Sequence, residues 1–246
     1  MMDKDSFFKH GVFGVAIVAL ISAAAISGNS SDNGDDDNSY SVSIDLDDDY
    51  ESANGDRVTE TRDLAAFNQI QVKGGIELDL TAGGEQSVTV STDSNRINLV
   101  ETYVENDTLV IDLSERKRKR FWNNVDVDVK ISVANFDGIE ILGAVDGDLT
   151  NINSDRFEID IRGAADLKLE GNCKTLVLDM RGAGDIDADK LECESVDVDL
   201  KGAGAASVYA SQSVDALLAG VGSINVYGDP KDVNKRTGGI GTIQIK

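Results

Sequence analysis

The chain has 246 residues, a formal net charge of −22, 24 glycines, one proline and 5% aromatic side chains. A surface this acidic repels polyanions at long range, so nucleic acid is a poor partner. Abundant Val, Ile, Leu and Asp with scarce helical periodicity suit a repetitive all-β protein better than a conventional sandwich with bulky aromatic packing.

At the amino terminus, Lys4, Lys9 and His10 precede an apolar run from Gly11 to Ile26, and polar sequence starts at Ser27. That is the order of a secretory signal peptide over residues 1–27, although Asp3 and Asp5 dilute its positive leader. The run falls short of the ~20 residues of a spanning helix, so cleavage after Ala25 or Ser27 is expected, with an uncleaved anchor as the alternative. His10 is the only histidine, and a cleaved chain has none. Histidine acid–base catalysis, imidazole zinc sites and Ser-His-Asp triads are then removed together.

Residues 28–57 follow as an acidic linker. Between 29 and 56 stand ten acids with no Lys or Arg, a composition that cannot bury enough apolar area to offset chain entropy. The Asp-x-Asp-x-Asp-Gly order of an EF-hand loop is missing from it.

Strand alternation then takes over, in QIQVKGGIELDL (69–80), SVTVST (87–92), TLVIDL (108–113) and VDVDVKISV (125–133), with NRINLVE (95–101) fit for one helical turn. From Ile139 onward a repeat is visible. Its corner glycines Gly143, Gly163, Gly182, Gly202, Gly220 and Gly239 are spaced by 20, 19, 20, 18 and 19 residues. Two and four places before them stand apolar residues such as Ile161, Met180 and Leu200, and Ile159, Leu178 and Val198. Polar residues alternate with these columns until Lys235 and Thr237 interrupt them in the last coil.

A coil of 19–20 residues is too short for a strand, helix and return, and the leucine-rich pattern is missing. The expectation is an all-β, single-stranded right-handed parallel β-helix (β-solenoid) over residues 58–246, its hand taken from the rule for parallel crossovers. Corners such as Gly182-Ala183-Gly184 are then places where stacked backbones approach closely or adopt positive φ. A nucleotide loop would need a third glycine where Asp187 stands, and a helix after it.

The segments VKGGIELDL and YVENDTLVIDL, with the recurring D-[IML]-[RK]-G-A-[AG]-[DA] units, resemble the head GIN domain family, described as putative auto-transporter adhesins. The resemblance covers roughly residues 58–246 and implies a parallel β-helix exported to the bacterial envelope or surface. The later corners AGVGSINV and TGGIGTIQI depart from the pattern by lacking the aspartate.

Four features invite a functional reading, each beside a structural one. Asp146, Asp166 and Asp185 share one column, where like charges at rung spacing repel by about 1 kcal/mol in water and a cation would relieve them. The alternative is a solvated acidic edge facing lysines. Asp160, Asp179 and Asp199 stand beside Arg162, Arg181 and Lys201, either over a sugar cleft or as a cross-strand charge ladder. Residues 116–120 are five consecutive basic residues before Phe121 and Trp122, suited to an anionic glycan or lipid headgroup or, alternatively, a solvated hairpin tip. Cys173 and Cys193 each lie nine residues before a corner, placing them in one column as a disulfide or as two buried thiols.

The reading that gathers these is an exported, non-enzymatic β-solenoid of the cell envelope, in the periplasm, outer membrane or cell surface. It acts as an adhesin-like binding or scaffold module with no catalytic, cofactor-binding or metal site. Its expected partner is an envelope glycan, lipid headgroup or surface protein. The alternative is a polysaccharide-active lyase or hydrolase acting on an acidic glycan.

Overall fold

The computed structural model describes residues 54–113 and 126–246. The leader, almost all of the acidic linker and the basic segment 116–120 lie outside the described residues. The elements in chain order are β1 (Arg57–Arg62), β2 (Gln69–Lys73), β3 (Gly75–Ala82), β4 (Ser87–Asp93), a 3-10 turn (Ile97–Leu99), β5 (Glu101–Glu105), β6 (Thr108–Asp112), β7 (Asp128–Val133) and β8 (Gly138–Ile141). The long strands β9 (Ala144–Ile161), β10 (Ala164–Met180), β11 (Ala183–Leu200) and β12 (Ala203–Leu218) come next, then β13 (Val221–Tyr227), β14 (Asp232–Thr237) and β15 (Ile240–Ile245). All fifteen strands join one sheet that winds into a parallel β-solenoid.

Period-two alternation sends one side of each strand inward. Ile159, Leu178, Val198 and Ala216 stack in register, as do Ile161, Met180, Leu200 and Leu218. Every one of these side chains is buried. Each large apolar residue so placed contributes roughly 1.5–3 kcal/mol, and β-branched side chains fit the pleated wall. The strands β9 to β12 contain 16 to 18 residues. Laid straight, each would reach over ~50 Å, so within a coil it must bend. Register shifts between Leu169 and Gly171 and between Ala188 and Glu192 mark that second bend.

The glycines divide the labour of the corner. The first glycine, as at Gly182, has an ordinary φ, but a Cβ there would overlap the carbonyl oxygen of Gly163 in the coil beneath. The second, as at Gly204, adds a φ of +149°, so close approach and left-handed backbone coincide there.

The repeat starts one coil earlier than its spacing indicates. Strands β2 and β3 form the coil beneath Gly143, with Ile70 opposite Ile139, Val72 opposite Ile141 and Ile76 opposite Val145. A Cβ on Gly143 would overlap Gly74. After β3 the chain leaves the stack and builds outward. Strands β6 and β7 pair in parallel on the far side of β2 and β3, β4 and β1 follow β7 antiparallel, and β5 covers β6 antiparallel. Stacking order and chain order differ there, which is why spacing misses the first coil. Phe136, on the return to the stack, meets Phe157 edge-on at 5.2 Å between ring centroids, and both rings are fully buried.

Candidate functional site

Each coil presents two outward faces: a leading face running into the glycine corner and a trailing face leaving it. On the trailing face the acidic column is longer than the sequence spacing reveals. Asp128, Glu77, Asp146, Asp166 and Asp185 follow one another in register from β7 through β3 to β11. Glu77 joins because β9 stacks on β3 once the excursion is complete, and Asp128 because the excursion brings β7 back onto β3.

Part of this column has a structural task. The Asp166 carboxylate accepts the backbone N–H of Asp185 at 3.0 Å, and the Asp185 carboxylate accepts that of Ala205 at 3.0 Å. These donors follow Gly184 and Gly204, both at positive φ, so the side chain caps an amide beside the corner. The expected facing lysines are replaced here by backbone amides.

At the start of the column Glu77, Asp126 and Asp128 bring their carboxylate oxygens within 4.8 Å of one another. Arg57 answers this density, reaching Asp126 at 2.7 Å and Asp128. Burial, followed by the charges of Asp128, Asp126 and Asp146, pushes the Glu77 carboxyl above its ordinary range. Arg57 neutralises part of the cluster that a cation would otherwise relieve.

The leading face carries Glu140, Asp160, Asp179 and Asp199 in one column. A cross-strand ladder was the sequence expectation, yet most pairing runs along each strand. Arg162 grips Asp160 bidentately at 2.8 and 3.3 Å, Arg181 grips Asp179 at 2.5 and 3.1 Å, and Lys201 donates to Asp199 at 2.6 Å. The links between coils are longer, Arg162 to Glu140 at 3.5 Å and Lys201 to Asp179 at 3.8 Å. Register explains the preference. Identical acids lie opposite one another in neighbouring coils, so each takes its cation from two residues further along its own strand.

At the end of this face nearest β5 and β6 lies a groove of about 440 Å³, lined among others by Gln69, Gln71, Asn106, Glu140, Glu158 and Asp160. The tight turn at Asn106 and Asp107, both at positive φ, forms part of its rim. Three of its four acids are engaged, Glu140 accepting from Gln71 at 2.5 Å, Glu158 from Arg156 at 2.5 Å and Asp160 from Arg162, and Glu105 lines the rim beside them. Sequence spacing could not reveal the groove, because Gln71 and Glu140 meet through pairing of β2 with β8 across the excursion.

Cys173 and Cys193 face each other across β10 and β11 with Cα atoms 4.5 Å apart, joined as a disulfide. Both are buried and have no place on either outward face.

A solved structure shares this architecture. Described as a putative adhesin from Bacteroides fragilis NCTC 9343, it superposes with a TM-score of 0.63 at 24% identity, covering 79% of this chain and 99% of that one. Another so described, from Parabacteroides merdae ATCC 43184, gives 0.48 at 14% identity, covering 79% and 98%. One described as a putative lipid binding protein, from Parabacteroides distasonis ATCC 8503, gives 0.43 at 20% identity with the same coverage. The first likeness speaks to fold, and the other two carry no argument. No curated protein matches the chain. Residues 66–230 match the family model described as putative auto-transporter adhesin, head GIN domain, and the chain belongs to that family.

Proposed function

We propose that the protein is an exported, non-enzymatic adhesin-like module of the bacterial cell envelope that holds an extended glycan along its leading face. The observation that carries this reading is the repetition of Asp160–Arg162, Asp179–Arg181 and Asp199–Lys201 at one-coil intervals on a rigid sheet. A rung spacing of ~4.8 Å lets successive sugar units meet equivalent donors and acceptors, so many weak contacts add through effective concentration. Export is supported by the order of charged, apolar and polar residues in the first 28 positions.

The arrangement of acids favours binding over turnover. A glycosidase needs one free carboxyl group to donate a proton and a second to act as base or nucleophile. In the groove, Glu140, Glu158 and Asp160 are occupied by Gln71, Arg156 and Arg162, which leaves Glu105 as a single carboxyl group where a pair is needed. The coils from Ile139 on vary by only two residues in length, leaving little chain for the walls of a cleft.

A glycan array probed with the chain tests the proposal. Retention of a subset of glycans is expected, with a loss of at least about tenfold in the triple variant Arg162→Gln, Arg181→Gln, Lys201→Gln. Release of products from polyuronates, with or without calcium, would overturn the non-enzymatic assignment.

A further inference from the structure

The two ends of the solenoid are finished differently. At the end built by β1 and β4, residues Val58, Glu60 and Arg62 lie opposite the buried Thr92, Val90 and Val88, so β1 turns an ion pair, Glu60 to Arg62 at 3.0 Å, toward the core side. Inward-facing charges of this kind blunt an edge against further pairing. At the other end, among the described residues, β14 and β15 each pair on one side only, with β12 and β13. Strand β15 has no charged residue between Ile240 and Ile245, and Ile240 is 75% exposed. Val221, Val233 and Ile245 are also exposed in the last two coils, although earlier corners hold alanine where Val221 and Ile240 stand.

We propose that this open end docks against the same end of a second copy, with β15 pairing antiparallel to its counterpart about a two-fold axis. The two-fold axis itself closes the contact into a dimer, since each copy uses its β14 and β15 edges on the other, while at the opposite end β1 turns its ion pair inward and β5 is flanked by the exposed Glu101 and Glu105. Both edge strands are self-complementary. Centred on Ile243, the pairing sets Ile243 against Ile243, Ile245 against Gly241 and Thr242 against Gln244, continuing the inward column of Ile224 and Val226. Centred on Asn234, β14 sets Asp232 of each copy against Arg236 of the other on the outward side, where each Arg236, already 3.0 Å from Asp215 of its own chain, gains a second carboxylate. The body of the chain is strongly acidic, so end-to-end contact also keeps the two bodies farthest apart. Lys235 occupies an inward position, opposite Ala216, and limits the tightness of the contact.

Sedimentation equilibrium of the full chain tests the proposal, with the same leader in every variant so that differences report on the edge. The expected mass is twice that of one chain. Ile245→Lys and Asp232→Arg should each weaken dimerisation about tenfold or more, while Asp232→Arg with Arg236→Asp should restore it to within about threefold. Lys235→Leu should tighten it about tenfold. Circular dichroism of each variant verifies the fold, and the charge swap and Lys235→Leu keep the test decisive if Ile245→Lys unfolds. A chain monomeric to about 100 µM, assembly beyond the dimer, or a dimer indifferent to these changes overturns the proposal.

Discussion

Residues 138–245 and residues 57–133 build the same winding wall, but the first region repeats one coil in chain order while the second reaches it by an excursion. In the repeating region, corner glycines rest on one another and inward columns run unbroken through successive coils. In the other, Leu113 stands over Gly74 where a corner glycine would be expected, and antiparallel strands close the edge. Repetition brings backbones so close that side chains are forbidden at the corner. Irregularity relaxes that demand and supplies a finished end.

The sharpest way to break the contrast is Gly182→Ala. The new methyl group would meet the Gly163 carbonyl, backbone held on both sides, so a loss above about 4 kcal/mol is expected by urea denaturation. Gly74→Ala, at the equivalent corner of the other region, would meet the Leu113 side chain rather than backbone and should cost less than Gly182→Ala, while Gly75→Ala, where the repeating coils already carry Ala144, Ala164 and Ala183, should change stability by less than about 0.5 kcal/mol. Equal costs would show that repetition does not set the constraint.

Phe136→Ala attacks the joint between the two regions. Loss of a fully buried ring in contact with Phe157 should cost about 3–4 kcal/mol, with protection from hydrogen exchange falling first in β2 and β8. Uniform loss across β9 to β12 would argue that the regions unfold as one. Cys173→Ser with Cys193→Ser, confined to the repeat, should cost about 2–3 kcal/mol for a loop of this length. Reduction of the unaltered chain should lower its denaturation midpoint similarly.

The smallest effect belongs to Glu77, where the regions meet. Its carboxyl lies above the ordinary range when folded, so the ionised form opposes folding. That penalty is complete above the folded pKa and vanishes as the pH falls below the unfolded value. Glu77→Gln should therefore stabilise by a few tenths of a kcal/mol at neutral pH, given its exposure, and by nothing near about pH 3. A gain that persists in acid would trace to packing instead.

What the sequence makes legible follows the same division. From Ile139 on, glycine spacing and the Leu178, Val198 and Met180, Leu200 columns give coil length, inward face and the shared column of Cys173 and Cys193, because contacts between adjacent coils repeat at a constant offset, whereas the bond between the two thiols is seen only in the structure. Within 57–133 individual strands are readable, but their partners are not. Ile70 with Leu109 and Leu78 with Val129 are set by a fold-back that leaves no period. The candidate site divides likewise. The Asp–Arg pairs are visible as short motifs, while the groove depends on Gln69 meeting Gly138, a contact 69 residues long in sequence. Whether an aspartate pairs along its strand, across coils or with an amide depends on a few tenths of an ångström that alternation does not encode.

The bond between Cys173 and Cys193 has a mechanical corollary for a protein that holds on to something. Tension applied through the carboxyl end would peel coils away one at a time, each resisted only by its own row of hydrogen bonds. When unravelling arrives at Cys193 the load passes through the bond directly to Cys173, and the 20-residue span between them is taken out of the loaded path. About 70 Å of slack is thereby withheld from the extending chain, and one coil's worth of sequence never bears the pull.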